Sequence, residues 1–190
     1  MREKHDLNDI LSRLSDQFLI CNYDYLYLRT MLEKCASVPE GSTLIVGSSH
    51  ALNGIYENAW YHAVNCSMHS QDIYYDYLCA RRAILSAGKG HFTRCFIIMG
   101  YYIAYQDLSR STVSRETVIT NIYYPIFGDA RHWASPTGHD PWERFGDIPE
   151  PIKTACEQVA VQKIKEYGTY YTDIRSRGTY FDLEGRSGPK

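Results

Sequence analysis

The chain has 190 residues, 44% hydrophobic and 22% charged, which is a globular and not a disordered composition of about one domain's length. Twenty Lys and Arg against 22 Asp and Glu leave a formal net charge of -2. That excludes nucleic-acid binding through bulk charge, because neutralising phosphates needs a basic surface. No apolar run approaches the ~20 residues that span a bilayer, and no uninterrupted apolar stretch follows Met1–Asp6 as it would in a secretory signal. A cytoplasmic protein without a membrane span is expected.

Leu7, Ile10, Leu11, Leu14 and Phe18 recur at helical spacing, and Tyr25, Leu28, Leu32 and Cys35 continue the pattern. One long or two abutting amphipathic helices are predicted over 7–37, ended by Pro39-Glu40-Gly41. Thr43-Leu44-Ile45-Val46 is a short apolar run between Gly41-Ser42 and Gly47, as in a buried parallel strand. Residues 50–59 suit a short helix, and Ala63-Val64-Asn65-Cys66 a second strand. Ile73, Tyr74, Tyr77, Leu78, Ala80 and Ile84 mark a helix over 71–87 that Gly88 can close. Cys95-Phe96-Ile97-Ile98-Met99 reads as the clearest strand, stopped by Gly100.

Strand, helix, strand, helix, strand is the order of an α/β protein. It predicts a three-layer αβα sandwich on a parallel sheet, preceded by an N-terminal amphipathic helical segment. Ligands of such sheets sit at the carboxyl ends of the strands, so the loops after Val46, Cys66 and Met99 should converge on one crevice. Further on, 118–127 suits a strand, 128–150 has no period, and 151–167 is a helix with Pro in its first turn. The polar tail, 168–190, is expected to be loose. The predicted organisation is thus a helical segment (1–38), an α/β domain (39–167) and a tail (168–190). Three good strands and one fair one fall short of the five or so of a complete doubly wound domain, so the sheet is small or belongs to a larger parent fold.

Six cysteines are scattered without a C-x-x-C pair, and His62, His69, His91 and His139 lack metal spacing. The cysteines are expected to be buried small hydrophobes, and neither metal nor cofactor is implied. Asp72 and Asp76, four apart, suggest a solvated helix face. The 17 tyrosines suit half-buried positions, in a core or on a carbohydrate-handling surface.

The sharpest chemical feature is Gly47-Ser48-Ser49-His50, directly after the first strand. A serine on a strand-to-helix turn is exposed and lies beside helix N-terminal amides, which serves a nucleophile and an oxyanion. The plain alternative is that Ser48 or Ser49 caps the helix. Asn65-Cys66-Ser67 then ends the second strand, and Ser70-Gln71-Asp72 opens the next helix.

Together these turns resemble the first two blocks of the SGNH (GDSL-like) hydrolase superfamily, over roughly residues 40–130. The stretch Gly47-Ser-Ser-His-Ala-Leu-Asn-Gly54 is similar to the Gly-x-Ser-His variant of relatives linked to cell-surface polysaccharides, as are 65–76, Tyr101-Tyr102 and Asp107-Leu108-Ser109. The resemblance implies Ser49 as nucleophile, with the amides of Ser49 and Ser67 as oxyanion donors. It implies His50, Asn65, Gln71 and Tyr102 around the substrate. Asp129-Ala-Arg-His132 fits the family's Asp-x-x-His spacing, with His132 as base and Asp129 as its orienter.

Two departures stand out. Gly100-Tyr101-Tyr102 occupies the place of the family's third-block Asn, and Asp129–His132 comes only about thirty residues after the third strand. The expected function is an esterase or acyltransferase acting on O-acyl groups of a carbohydrate. The alternative is a truncated or inactive module binding a sugar or phosphate in the same crevice. A flavodoxin-like nucleotide binder fits less well, since the first loop lacks G-x-G-x-x-G and G-K-[ST]. The oligomeric state is not set by the sequence.

Overall fold

The computed structural model describes residues 2–55, 57, 60–111, 115–129 and 140–167. The N-terminal pattern forms two abutting helices, α1 (Arg2–Cys21) and α2 (Tyr23–Lys34), separated at Asn22. Phe18 of α1 and Tyr25, Leu26, Tyr27, Leu28, Met31 and Leu32 of α2 are buried. They meet the last described helix, α6 (Glu150–Tyr167), whose Cys156, Ala160, Val161 and Ile164 are also buried. The small side chains Cys156 and Ala160 let the helix axes approach. Trp142 stacks on Phe18 with centroids 3.9 Å apart and planes 5° from parallel, and Phe145 meets both edge-on. Trp142 Nε1 donates to Glu157 Oε1 at 2.8 Å, and Arg29 Nη1 donates to the other oxygen of that carboxylate.

The protein is α/β. Among the described residues, β1 (Ser42–Gly47), β2 (Ala63–Asn65) and β3 (Phe92–Ile98) form a parallel sheet in the order β2-β1-β3. The registers pair Leu44 with Val64 and Ile45 with Phe96. The central strand is buried throughout, which is why it reads as a continuous apolar run. Leu44 and Val46 enter the main core shared with α1, α2 and α6, whereas Ile45 packs with Ala51 and Ala63 in a smaller cluster on the other face. That second face carries the short α3 (Ser49–Gly54). On the first face lies α4 (Ile73–Ala87), capped by Asp72 and closed by Gly88 at φ 88°. No described helix is long and apolar enough to cross a membrane.

Three expectations are corrected. The strand predicted over 118–127 is helical: Arg115–Tyr123 forms a π-helix that runs into α5 (Tyr124–Phe127). Ile119, Ile122 and Tyr123 are buried at helical spacing, and Pro125 stands where the π-helix gives way to α5. The cysteines are not uniformly interior, because Cys21 and Cys95 are exposed. Cys95 is exposed because, among the described residues, β3 is an edge strand whose residues are mostly open. Finally, Asp72 and Asp76 do not lie on a solvated face: each is 1% exposed. The expected tail, 168–190, lies outside the described residues.

Gly47 is the tightest point of the sheet. A Cβ there would lie 2.0 Å from the Ile98 carbonyl oxygen, and its φ of +150° disfavours any side chain. Gly47→Ala is therefore expected to lower unfolding stability by about 3 kcal/mol or to prevent folding. Denaturant unfolding followed by circular dichroism measures this, and a midpoint unchanged from the parent protein refutes it.

Candidate functional site

The loops after all three strands meet at the carboxyl end of the sheet. The Ser48 amide donates to the Ile98 carbonyl at 3.2 Å, and the Met68 amide donates to the Gly47 carbonyl at 3.2 Å. These bonds seat the turns after β2 and β3 on either side of the bend between β1 and α3. Ser48 is the residue before α3, with extended backbone and no side-chain capping bond. Its hydroxyl lies 3.1 Å from His50 Nδ1. Capping therefore does not account for this serine. The pairing is one that the sequence reading missed, although a Ser-x-His spacing on a bend is its visible trace.

Ser48 is buried, Ser49 half-buried and His50 exposed. Ser49 is the first residue of α3, and its hydroxyl has no hydrogen bond among the described residues. The His50 ring stands 6.0 Å from the Tyr102 ring in an edge-on arrangement. Tyr102, 50% exposed, belongs to a single turn over Tyr101–Tyr105. Its ring folds over Gly100, where an added Cβ would come within 2.5 Å of a ring carbon. The structure thus gathers Ser48, Ser49, His50 and Tyr102 on the open side of the bend.

Asn65, Ser67 and Gln71 lie elsewhere. Each is completely buried. Asn65 Nδ2 donates to the Ala51 carbonyl of α3 at 3.0 Å, and Asn65 Oδ1 accepts the Ser67 amide at 3.1 Å. Tyr27 donates its hydroxyl proton to the Asn65 carbonyl at 2.9 Å. Gln71 Nε2 donates to Asp76 Oδ1 at 2.7 Å and to the Cys66 carbonyl at 3.3 Å, while Gln71 Oε1 accepts from Tyr123 at 2.9 Å. Expected beside the substrate, Asn65 and Gln71 are interior fasteners whose polar atoms are spent on the chain itself. The Ser67 amide, expected to hold an oxyanion, is engaged by Asn65, and the Ser67 hydroxyl is buried with no partner among the described residues.

Of the expected base pair, Asp129 is half-buried and accepts a hydrogen bond from Tyr74 of α4, on the sheet face opposite α3. His132 lies outside the described residues. Among the described residues no group of His, Cys, Asp and Glu is arranged to hold a metal. Comparison of the chain with models of known families, with curated proteins and with solved structures finds no match.

Behind the bend, Asp72 and Asp76 anchor the polar interior. Asp72 Oδ1 accepts the Tyr75 amide at 3.1 Å and Asp72 Oδ2 the Leu108 amide at 2.9 Å, tying α4 to the chain beyond β3. Asp76 has one oxygen on Gln71 and the other without a partner among the described residues. Burial pushes its carboxyl up to about 7; the Gln71 hydrogen bond opposes the rise and nearby Asp72 adds to it. A raised carboxylate pKa means that the unfolded chain loses this proton first. Stability should therefore fall as pH rises from about 4 to about 7, by on the order of 4 kcal/mol, and level off above. Asp76→Asn keeps the acceptor for Gln71 and should flatten that slope. Urea unfolding at half-unit pH steps tests this, and parallel pH profiles for the two proteins refute it.

Proposed function

We propose that the chain is an SGNH-like serine esterase or acyltransferase, built on a three-layer αβα fold, that acts on O-acyl groups of a carbohydrate. The observation that carries this reading is the position of Ser49. It is half-exposed at the first residue of a helix, on the bend that leaves the central parallel strand, and its hydroxyl has no partner among the described residues. Parallel sheets bind ligands at this end.

In this mechanism Ser49 Oγ attacks the ester carbonyl carbon, and the carbonyl π electrons move onto oxygen. The Ser49 amide, at the start of α3, holds the resulting oxyanion. The serine proton passes to His132, the base in this reading, and then to the departing sugar oxygen; Asp129, which accepts from Tyr74 on the other sheet face, does not orient that base in this arrangement. Water or a second hydroxyl releases the acyl group from Ser49. His50, held through Nδ1 by Ser48, and Tyr102 form the wall against which the sugar packs, as aromatic rings do. The Tyr102 hydroxyl stands in for the missing third-block Asn.

A second reading has its own observation. Because Asn65 engages the Ser67 amide, one of the expected oxyanion donors is spoken for. A non-catalytic module that binds a sugar or phosphate in the same crevice needs no such donor.

Fluorophosphonate labelling followed by peptide mass spectrometry distinguishes the two. The esterase reading expects modification of Ser49 and a drop of about 100-fold or more in p-nitrophenyl acetate turnover for Ser49→Ala. Labelling at another residue, or equal turnover by Ser49→Ala, overturns it. Absence of labelling together with retained sugar binding supports the module.

A further inference from the structure

We propose that the open edge of β3 and the adjoining flank of α4 form a two-fold interface with a second copy of this chain, joining two three-stranded sheets into one of six strands. Among the described residues β3 ends the sheet order, and five of its seven residues are exposed. Phe96 is 37% and Ile97 60% exposed, unusual for an apolar strand of a parallel sheet. The Ile98 carbonyl points to β1, where it accepts the Ser48 amide. By the two-residue alternation of a strand, Cys95 and Ile97 turn their backbone N–H and C=O groups to the open edge.

The helix above is unfinished on the same side. Arg82 and Ser86 of α4 share a cavity with Arg29 and Ala36, which marks the flank towards α2. At 100° per residue the opposite flank carries Ile73, Tyr77, Ala80 and Ile84. Ile73, Tyr77 and Ile84 are 47%, 59% and 44% exposed, and no charged residue interrupts the stripe. An extended peptide added to β3 would satisfy the edge and leave this stripe bare. A second copy covers both.

The dimensions suit one axis. α4 has 15 residues and β3 has seven, about 22 Å each, and the two run antiparallel as in any βαβ unit. Their midpoints, Ala80 and Cys95, therefore lie at one height. Antiparallel pairing of β3 with its copy about Cys95 sets Arg94 against the partner's Phe96, a cation–π pairing. Shifting the axis to Arg94 would oppose two like charges. α4 lies over β1 and β3, so with strands about 4.8 Å apart the two copies of α4 come about 10 Å from each other, a normal helix-packing distance.

The test uses the full chain at about 50 μM. Light scattering after gel filtration should give twice the chain mass of 21.9 kDa. Ile97→Lys and Ile84→Glu should each return it to the monomer with unchanged circular dichroism. In a Cys21→Ser background, copper-phenanthroline in air should link two chains through Cys95, because facing hydrogen-bonded residues place Cα atoms about 5.5 Å apart. The Cys95→Ser variant should not link. A monomer overturns the proposal, as does a dimer that survives both charge substitutions. A monomer whose Cys95 and Ile97 amides resist hydrogen exchange also overturns it, since the edge is then covered from within the chain.

Discussion

Everything at the carboxyl end of the sheet depends on how closely the backbone of β1 passes that of β3 at Gly47. With no room for a Cβ beside the Ile98 carbonyl, the chain passes this point only without a side chain. The turn delivers Ser48 and Ser49 into the start of α3 and leaves the Gly47 carbonyl free to receive Met68. The three loops are thus fixed relative to one another by backbone hydrogen bonds, and the side chains of the bend inherit that geometry.

A second layer of order comes from polar groups that have been taken out of water. Asn65 ties α3 to the turn after β2, and Gln71 joins Cys66, Asp76 and Tyr123. The Tyr123 ring stacks on Tyr75 at 3.8 Å, so the amide network and the aromatic core are continuous. Buried amides of this kind are costly unless each has a partner, and together they favour a single arrangement of the loops. Asp76, like the Ser67 hydroxyl, keeps a desolvated oxygen with no partner among the described residues, and its carboxyl responds by holding its proton to a higher pH.

Much of this frame was legible in the sequence. Thr43–Val46, Ala63–Cys66 and Cys95–Met99 carry β-branched or continuous apolar character, although β3 begins three residues earlier, at Phe92, and ends at Ile98, and Gly88 closes α4 where expected. The bend with its two serines was legible as well, because glycine followed by small polar residues after a strand allows little else. The helix over Arg115–Tyr123 was not, since Val118, Ile119 and Ile122 are β-branched and tertiary packing overrides that local preference. Nor was the interior position of Asn65, Gln71, Asp72 and Asp76. Polar residues at a strand end and a helix start read as loop chemistry unless their partners, which come from α2, α3 and the segment after β3, are already in place. Exposure of Cys95 and Ile97 had no local signal at all, because it records what stands beside the strand and not what the strand contains.

The stack of Phe18 on Trp142 has a consequence for the order of assembly during translation. Phe18 of α1 is made 124 residues before Trp142, and α6 follows later still. At 5–20 residues per second, on the order of ten seconds separates the two events. Throughout that interval the side of α1 that α6 covers lacks this mate, while α2 can already pack on α4. The docking of α6 on α1 is therefore a late event in assembly, and the aromatic stack records its completion.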